Sequence, residues 1–292
     1  MAAGESGSGT PPRVTAVIVD YRKGGRVLRG VASLRRQYDP ARLDIVVVDN
    51  SECARNAALL RGLAALPNVR LVISPRNLGY SAGCNEGARL GRGDLLLLLN
   101  PDILWQQEGA LGRLAAFMAA RPEIAIAGPR QANEDGSAPG TVRRHPSPAA
   151  QLLRRTALRG MPPFAAAVAA YERPDFDYGR SQPVDWLQSS CMLIRRDFWD
   201  AIGGLDECFF LFMADCDLCR AAWRAGREVW HVAEATVTAD GRRASAGGPL
   251  ALLRSRPLRW HLADMVRYYR KHGWRLPQDA IRGAAPAGRG PR

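Results

Sequence analysis

Long apolar runs are missing from this 292-residue chain. Uninterrupted blocks such as Leu95–Leu99, Phe164–Tyr171 and Cys208–Ala214 fall well short of the roughly 20 residues a membrane-spanning helix needs, which excludes a spanning segment of that kind. The start, MAAGESGSGTPPR, lacks the basic-then-apolar order of a secretory signal and reads as a disordered tail over residues 1–12, from which a cytoplasmic location is expected. Aromatic residues make up only 7% and histidines number four. The six cysteines (Cys53, Cys84, Cys191, Cys208, Cys216, Cys219) form no disulfide framework, and the CxxC at Cys216 and Cys219 has neither a second CxxC nor a histidine pair to complete a zinc set. With 47% hydrophobic and 24% charged residues, the composition excludes a wholly disordered, collagenous or coiled-coil chain.

What is abundant is positive charge, a formal +13 overall. From Gly241 to Arg292 twelve basic residues face two acidic ones. Such a patch favours a polyanion, either nucleic acid or anionic lipid headgroups.

The first half alternates short buried-type runs with amphipathic stretches, the pattern of βαβ units and a mostly parallel sheet flanked by helices. Strands are predicted at Val14–Asp20, Asp44–Asp49, Val69–Ser74, Asp94–Leu99 and Ile124–Gly128, with helices at Arg26–Tyr38, Ala54–Leu66, Ser81–Leu90 and Glu108–Ala120. Parallel strands are covered on both faces, so LLLLL and IVVV need no membrane to explain them. Regularity fails from Asn133 to Asp185, apart from short helices around Ala149–Arg159, and returns with Val184–Ile194, helices at Arg196–Ile202 and Asp215–Ala225, and a strand at Glu228–Val232. A basic amphipathic helix is expected over Leu258–His272. The α/β class is that of nucleotide-binding sheets, divided here into the tail 1–12, a domain over 13–240 and a basic helical extension over 241–292.

In open parallel sheets ligands sit beyond the carboxyl ends of the strands. The polar residues there are Asp20-Tyr21, Asp49-Asn50-Ser51, Asn77-Leu78-Gly79 and Asn100-Pro101-Asp102. Asp49 suits imide N–H or hydroxyl donors, and equally a helix N-cap. Asp102, after a buried Leu run, is placed for a hard divalent cation bridging to a diphosphate, the alternative being a simple N-cap or turn. Asp215 and Asp217 open an amphipathic helix and point in different directions, so one can cap the helix while the other faces the crevice as a general base.

Together VIVDY (Val17–Tyr21), VVVDNS (Val46–Ser51), NLGYSAGCNEG (Asn77–Gly87), GDLLLLLNPD (Gly93–Asp102), the stretch Val184–Phe210 and DCDLCRAAWRAG (Asp215–Gly226) resemble the family 2 glycosyltransferases of GT-A (Rossmann-like) fold, and within them the rhamnosyltransferase-like branch. The resemblance implies inverting transfer of a sugar, rhamnose first, from a nucleotide-diphosphate donor to an acceptor hydroxyl, on lipid-linked glycans of cell-surface polysaccharide. It places the donor near Asp20, Tyr21, Asp49, Asn77, Gly79 and Asn100, Mg²⁺ or Mn²⁺ on Asp102, the base at Asp215, and the acceptor or sugar beside Trp186, Gln188, Ser189 and Ser190. The family's acidic pair reads Ala214-Asp215 here, and its histidine after the last strand is replaced by Thr238-Ala239-Asp240, making Asp240 the second metal candidate. A non-catalytic sugar-nucleotide-binding protein of the same fold is the alternative. Interleaving of Trp260, Tyr268, Tyr269 and Trp274 with arginines suggests an anionic membrane surface as partner of the extension rather than nucleic acid, the alternative being a solvated basic face packed on the catalytic domain.

Overall fold

The computed structural model describes residues 10–137, 140–154, 156–162, 164–239 and 256–274. Most of the expected tail, Asp240 and much of the C-terminal extension lie outside these residues. Pro11 and Pro12 do not: their carbonyls accept hydrogen bonds from Arg42 Nη1 and Tyr38 Oη, both at 2.7 Å.

The strands β1 (Val14–Asp20), β2 (Leu43–Asp49), β3 (Val69–Ile73) and β4 (Leu95–Leu99) run parallel, linked by α1 (Gly24–Leu34), α2 (Ala54–Leu60) and α3 (Tyr80–Leu90). After a two-residue β5 (Ile103–Leu104), α4 (Ala110–Ala119) leads to the long β6 (Ile124–Asn133). The irregular stretch contains β7 (Val142–Arg143), α5 (Pro148–Leu153), α6 (Phe164–Glu172) and β8 (Gln182–Pro183). The regular stretch expected at Val184–Ile194 holds two strands, β9 (Trp186–Leu187) and β10 (Cys191–Arg195), followed by α7 (Arg196–Ile202), α8 (Ala214–Arg224), β11 (Glu228–Ala239) and α9 (Arg256–His272). The main sheet has the order β3-β2-β1-β4-β10-β6-β11-β5, and β10 alone of its long strands runs against both of its neighbours.

Each face of this sheet is covered. Leu97 and Leu99 of β4 pack with α1 and α4 (Val27, Val31, Leu34, Leu111, Leu114, Met118), while Leu96 and Leu98 pack with α3 and α8 (Cys84, Ala88, Leu218, Cys219). The side-chain period of two thus assigns successive leucines of one run to opposite cores. Helix α3 lies especially close, since a Cβ on Gly87 would stand 2.4 Å from Val17 Cγ1. This intimacy brings the N-terminus of α3 over the ends of β1 and β2.

Helix α9 packs on the domain. Leu258, His261, Asp264, Tyr268 and Tyr269 form its buried stripe, with Tyr268 and Tyr269 fully enclosed in the α3/α8 core. The expectation that these two tyrosines face a membrane is therefore corrected: their rings are spent on the interior. Arg259, Leu262, Ala263, Arg267, Arg270 and Trp274 remain outward.

Leu97→Ala should lower the unfolding free energy by about 2–5 kcal/mol, because it empties a site enclosed on every side. In urea titration the midpoint should drop with the slope unchanged.

Candidate active site

Strand register sets the site. Asp20 and Asp49 are direct partners at the ends of β1 and β2, both buried. Two adjacent carboxylates inside a protein repel and lose hydration, and the structure compensates through one side chain. Asn56, on α2, donates from Nδ2 to Asp20 Oδ2 at 2.7 Å, to Asp49 Oδ1 at 3.1 Å and to Ser51 Oγ at 3.0 Å. Asp20 Oδ1 accepts the Lys23 N–H at 2.9 Å and Asp49 Oδ1 the Ser51 N–H at 3.0 Å. Burial pushes the Asp20 carboxyl above its ordinary range and Asp49 adds to this, while Asn56 and the Lys23 N–H pull the other way. With both oxygens engaged and no exposed surface, Asp20 forms part of the frame of the crevice. Tyr21, the next residue, is exposed.

Above β3 the turn at Asn77–Gly79 closes through the Gly79 N–H to Asn77 Oδ1 bond of 2.9 Å, and Asn50 Nδ2 holds the Gly79 carbonyl at 2.8 Å. Gly79 has φ of +82°, and a Cβ there would come within 2.6 Å of the Phe210 carbonyl. Only glycine fits both constraints. The close approach lets the Tyr80 N–H reach Phe210 O at 2.6 Å.

Asp102 follows β4. One of its oxygens lies 3.9 Å from Lys23 Nζ, while Oδ1 is buried with no hydrogen-bond partner. An orphaned carboxylate oxygen at this position fits a cation. Among the described residues no group of three or more histidine, cysteine or acidic side chains could hold a metal, and Asp240 lies outside them. A Mg²⁺-type ion nonetheless takes as few as one or two carboxylates when phosphates and water supply the rest. Beside Lys23, a cleft of about 1170 Å³ is lined by Arg22, Lys23, Arg26, Arg29 and Arg55, with Asn56 at its wall and no acid. The first turn of α1 also carries no acid, so cations cluster at the positive end of a helix dipole, an arrangement that an anion would relieve.

Asp215 sits in the first turn of α8, after Met213 in a left-handed conformation at φ of 68°. Its Oδ1 accepts the Cys216 N–H at 2.9 Å and its Oδ2 the Ser189 N–H at 3.4 Å. Burial raises this carboxyl above the ordinary range, opposed by those N–H groups and the Arg143 guanidinium. Asp217 points elsewhere, pairing with Lys271 Nζ at 2.9 Å and His272 Nε2 at 2.6 Å. Gln188, Ser189 and Ser190 are partly exposed. Ser190 Oγ donates to Gln131 at 2.9 Å, and the Ser190 carbonyl accepts the Asn100 N–H at 2.8 Å. Trp186 is buried, with its indole N–H on the Arg144 carbonyl at 2.6 Å. Cys216 and Cys219 are buried thiols whose ionisation is pushed up by burial.

The family described as "Glycosyltransferase like family 2" matches residues 11–263. The chain belongs to that family. The transferase is 28% identical over 279 residues to an N-acetylglucosaminyl-diphospho-decaprenol L-rhamnosyltransferase of Mycobacterium tuberculosis, a match covering 89% of this chain and 86% of the relative. It is 29% identical over 198 residues to the low-salt glycan biosynthesis hexosyltransferase Agl10 of Haloferax volcanii, covering 66% of this chain and 57% of that one. Among solved structures, the Pyrobaculum calidifontis mannosyltransferase PcManGT in complex with GDP-Man and Mn²⁺ aligns with a TM-score of 0.58 at 16% identity, over 88% of this chain and 65% of that one. GalNAc-T7 with UDP, GalNAc and Mn²⁺ aligns with a TM-score of 0.57 at 14% identity, over 78% and 43%. The expected fold, family and enzyme class of the transferase are thereby met.

Two features of the transferase's site were missed in the sequence. Asn56 was readable as a polar residue next to Ala57 in the inward stripe of α2. The α1 cleft was legible only as scattered basic residues, since Arg55 joins the others through the fold.

Asn56→Ala should cost about 1–3 kcal/mol, the price of buried acceptors left unpaired. An acid whose folded pKa exceeds its unfolded one loses stability as pH rises through that interval. The deficit against wild type should thus be full at pH 7 and shrink as pH falls toward about 4. Paired chemical denaturation at both pH values reads this directly.

Proposed function

We propose that the transferase moves a sugar, with rhamnose as first choice, from a nucleoside-diphosphate donor to a hydroxyl of a lipid-linked glycan, inverting the anomeric centre, in cell-surface polysaccharide assembly. The relative from M. tuberculosis supports the sugar and the lipid-linked acceptor. The observation that carries the mechanism is the short path between the two reactive carboxylates: Asn100, two residues before Asp102, bonds the Ser190 carbonyl, and the Ser189 N–H bonds Asp215.

In this reading Tyr21, Asp49, Asn77, Gly79 and Asn100 surround the donor nucleoside, framed from within by Asp20. The cationic α1 cleft meets the diphosphate charge. Asp102 would hold Mg²⁺ or Mn²⁺, joined by Asp240, and that ion supplies neutralisation of the departing diphosphate. Gln188, Ser189 and Ser190, backed by Trp186, line the acceptor or sugar side. Asp215 takes the acceptor proton as the oxygen attacks the anomeric carbon from the face opposite the diphosphate. Its two N–H partners fix its direction, and burial makes it a better proton acceptor than an exposed carboxylate.

Transfer from dTDP-rhamnose to a lipid-linked N-acetylglucosaminyl diphosphate, assayed with Mn²⁺, tests this. Asp215→Asn should lower kcat by about 10²–10⁴-fold. The acid limb of the wild-type kcat profile should lie above the ordinary carboxylate range, because the raised Asp215 must shed its proton before it can act. Asp102→Asn should weaken the metal dependence. Equal turnover in wild type and Asp215→Asn removes the base assignment.

The extension is read as a docking element for the inner membrane surface, on the strength of the outward Arg259, Leu262, Arg267, Arg270 and Trp274. No described helix is long and apolar enough to cross a membrane. The chain should co-sediment with phosphatidylglycerol vesicles and not with phosphatidylcholine, and Arg259→Glu with Arg270→Glu should abolish this. Sedimentation unchanged by the charge reversal refutes it.

A further inference from the structure

Asp264 of α9 is a fully enclosed carboxylate in the most basic part of the chain. Its Oδ1 accepts the Phe210 N–H at 3.1 Å, and its Oδ2 accepts those of Leu211 and Phe212, each at 2.9 Å. Arg267 Nη1 stands 2.8 Å from Oδ1. Residues 210–212 belong to neither helix nor strand, so their N–H groups need partners from elsewhere. Three consecutive donors converging on one point form an anion-binding concavity, and this chain fills it with its own side chain.

The segment so held touches both halves of the site. Toward the donor side, the Phe209 carbonyl accepts Ser81 Oγ and the Phe210 carbonyl accepts the Tyr80 N–H, each at 2.6 Å, which fixes the turn at Gly79. Toward the base side, it runs into Met213 and Asp215. A second route closes a ring: Tyr80 Oη donates to the Ser189 carbonyl at 3.1 Å, and the Ser189 N–H donates to Asp215. Packing reinforces the grip, with Phe210 against Trp260 and Phe212 against His261, ring centroids 4.7 Å apart in both pairs.

We propose that Asp264 is a positioning residue of the transfer reaction: by binding the backbone of residues 210–212 from the C-terminal helix, it sets the Gly79–Tyr80 turn against the donor and the Asp215 carboxylate against the acceptor. This rests on the reading of Asp215 as base. Displacing a reacting group by about 1 Å costs on the order of 100-fold in rate, so the loss should appear in kcat and not only in stability.

The experiment compares Asp264→Asn with Lys271→Gln in the full chain. Lys271 anchors the same helix to Asp206 and Asp217, with its ammonium 5.6 Å from the centroid of the Phe209 ring, and it does not bind the backbone N–H groups of residues 210–212 that Asp264 holds. Both variants should melt below wild type. Asp264→Asn should lose about 10–100-fold in kcat per folded molecule, bind dTDP-rhamnose more weakly in a fluorescence titration and shift the acid limb of its kcat profile, and Asp264→Glu should recover part of the loss. Lys271→Gln should keep kcat within about twofold. Equal kcat losses in Asp264→Asn and Lys271→Gln, or wild-type kcat and donor affinity in Asp264→Asn, overturn the proposal. If Asp264→Asn does not fold, Arg267→Gln replaces it and should show a several-fold kcat loss; wild-type kcat there overturns the proposal. Full turnover in Asp215→Asn together with weakened donor binding in Asp264→Asn removes the base reading and leaves the donor-side grip standing.

Discussion

A parallel sheet that ends in acids has to solve an electrostatic problem before it can bind anything. Asp20 and Asp49 are brought side by side by strand register, at a depth where water cannot solvate them, and left alone they would repel each other. The amide of Asn56 is the group that reconciles them, since its Nδ2 reaches both carboxylates and Ser51 at once. This in turn fixes the start of α1 through Lys23 and brings the α1 cations alongside Asp102. The crevice is thus built from side chains whose first task is to satisfy one another, and its chemistry depends on the few atoms left over, such as Asp102 Oδ1.

The parallel half of the fold was legible because β1, β2 and β4 each carry an apolar run that gives way to a polar residue, the pattern that burial on both faces favours; the edge strand β3, with Arg70 inside it and Ile73 exposed, follows it less closely. The antiparallel half was harder. Val184–Ile194 stands out in the sequence only as a regular stretch of no stated type, yet Trp186–Leu187 pair with β7 whereas Cys191–Arg195 pair with β4 and β6. Likewise β11 extends past Val232 to Ala239 because β6, beyond a shift of register, and β5 at its end keep it company, a tertiary matter that local pattern does not carry. In the site, Asp49, Asp102 and Asp215 could be singled out one by one. Their mutual arrangement, and the role of Asp217 as an anchor for α9, required the fold.

Helix α9 shows how one pattern supports two readings. Tyrosine, tryptophan and arginine at helical spacing suit a membrane surface and equally suit a helix that buries its rings and exposes its cations. The discriminating residue was Asp264. An acid in the same stripe as Leu258, Tyr268 and Tyr269 has no place at an anionic surface, and makes sense only if the inward side meets a cluster of donors. The burial of Tyr268 and Tyr269 leaves the outer side to carry any membrane affinity.

The placement of β10 between β4 and β6 has a consequence for synthesis. While the chain emerges from the ribosome, the five leucines of β4 present an unpaired edge until residues 191–195 have been made, and β6 has the same wait. The N-terminal half therefore has no sealed sheet of its own, and closure joins segments far apart in the chain, which tends to make folding slow. A nascent or truncated polypeptide ending before β10 would display a hydrophobic strand border, the kind of surface that recruits chaperones or a second copy of itself.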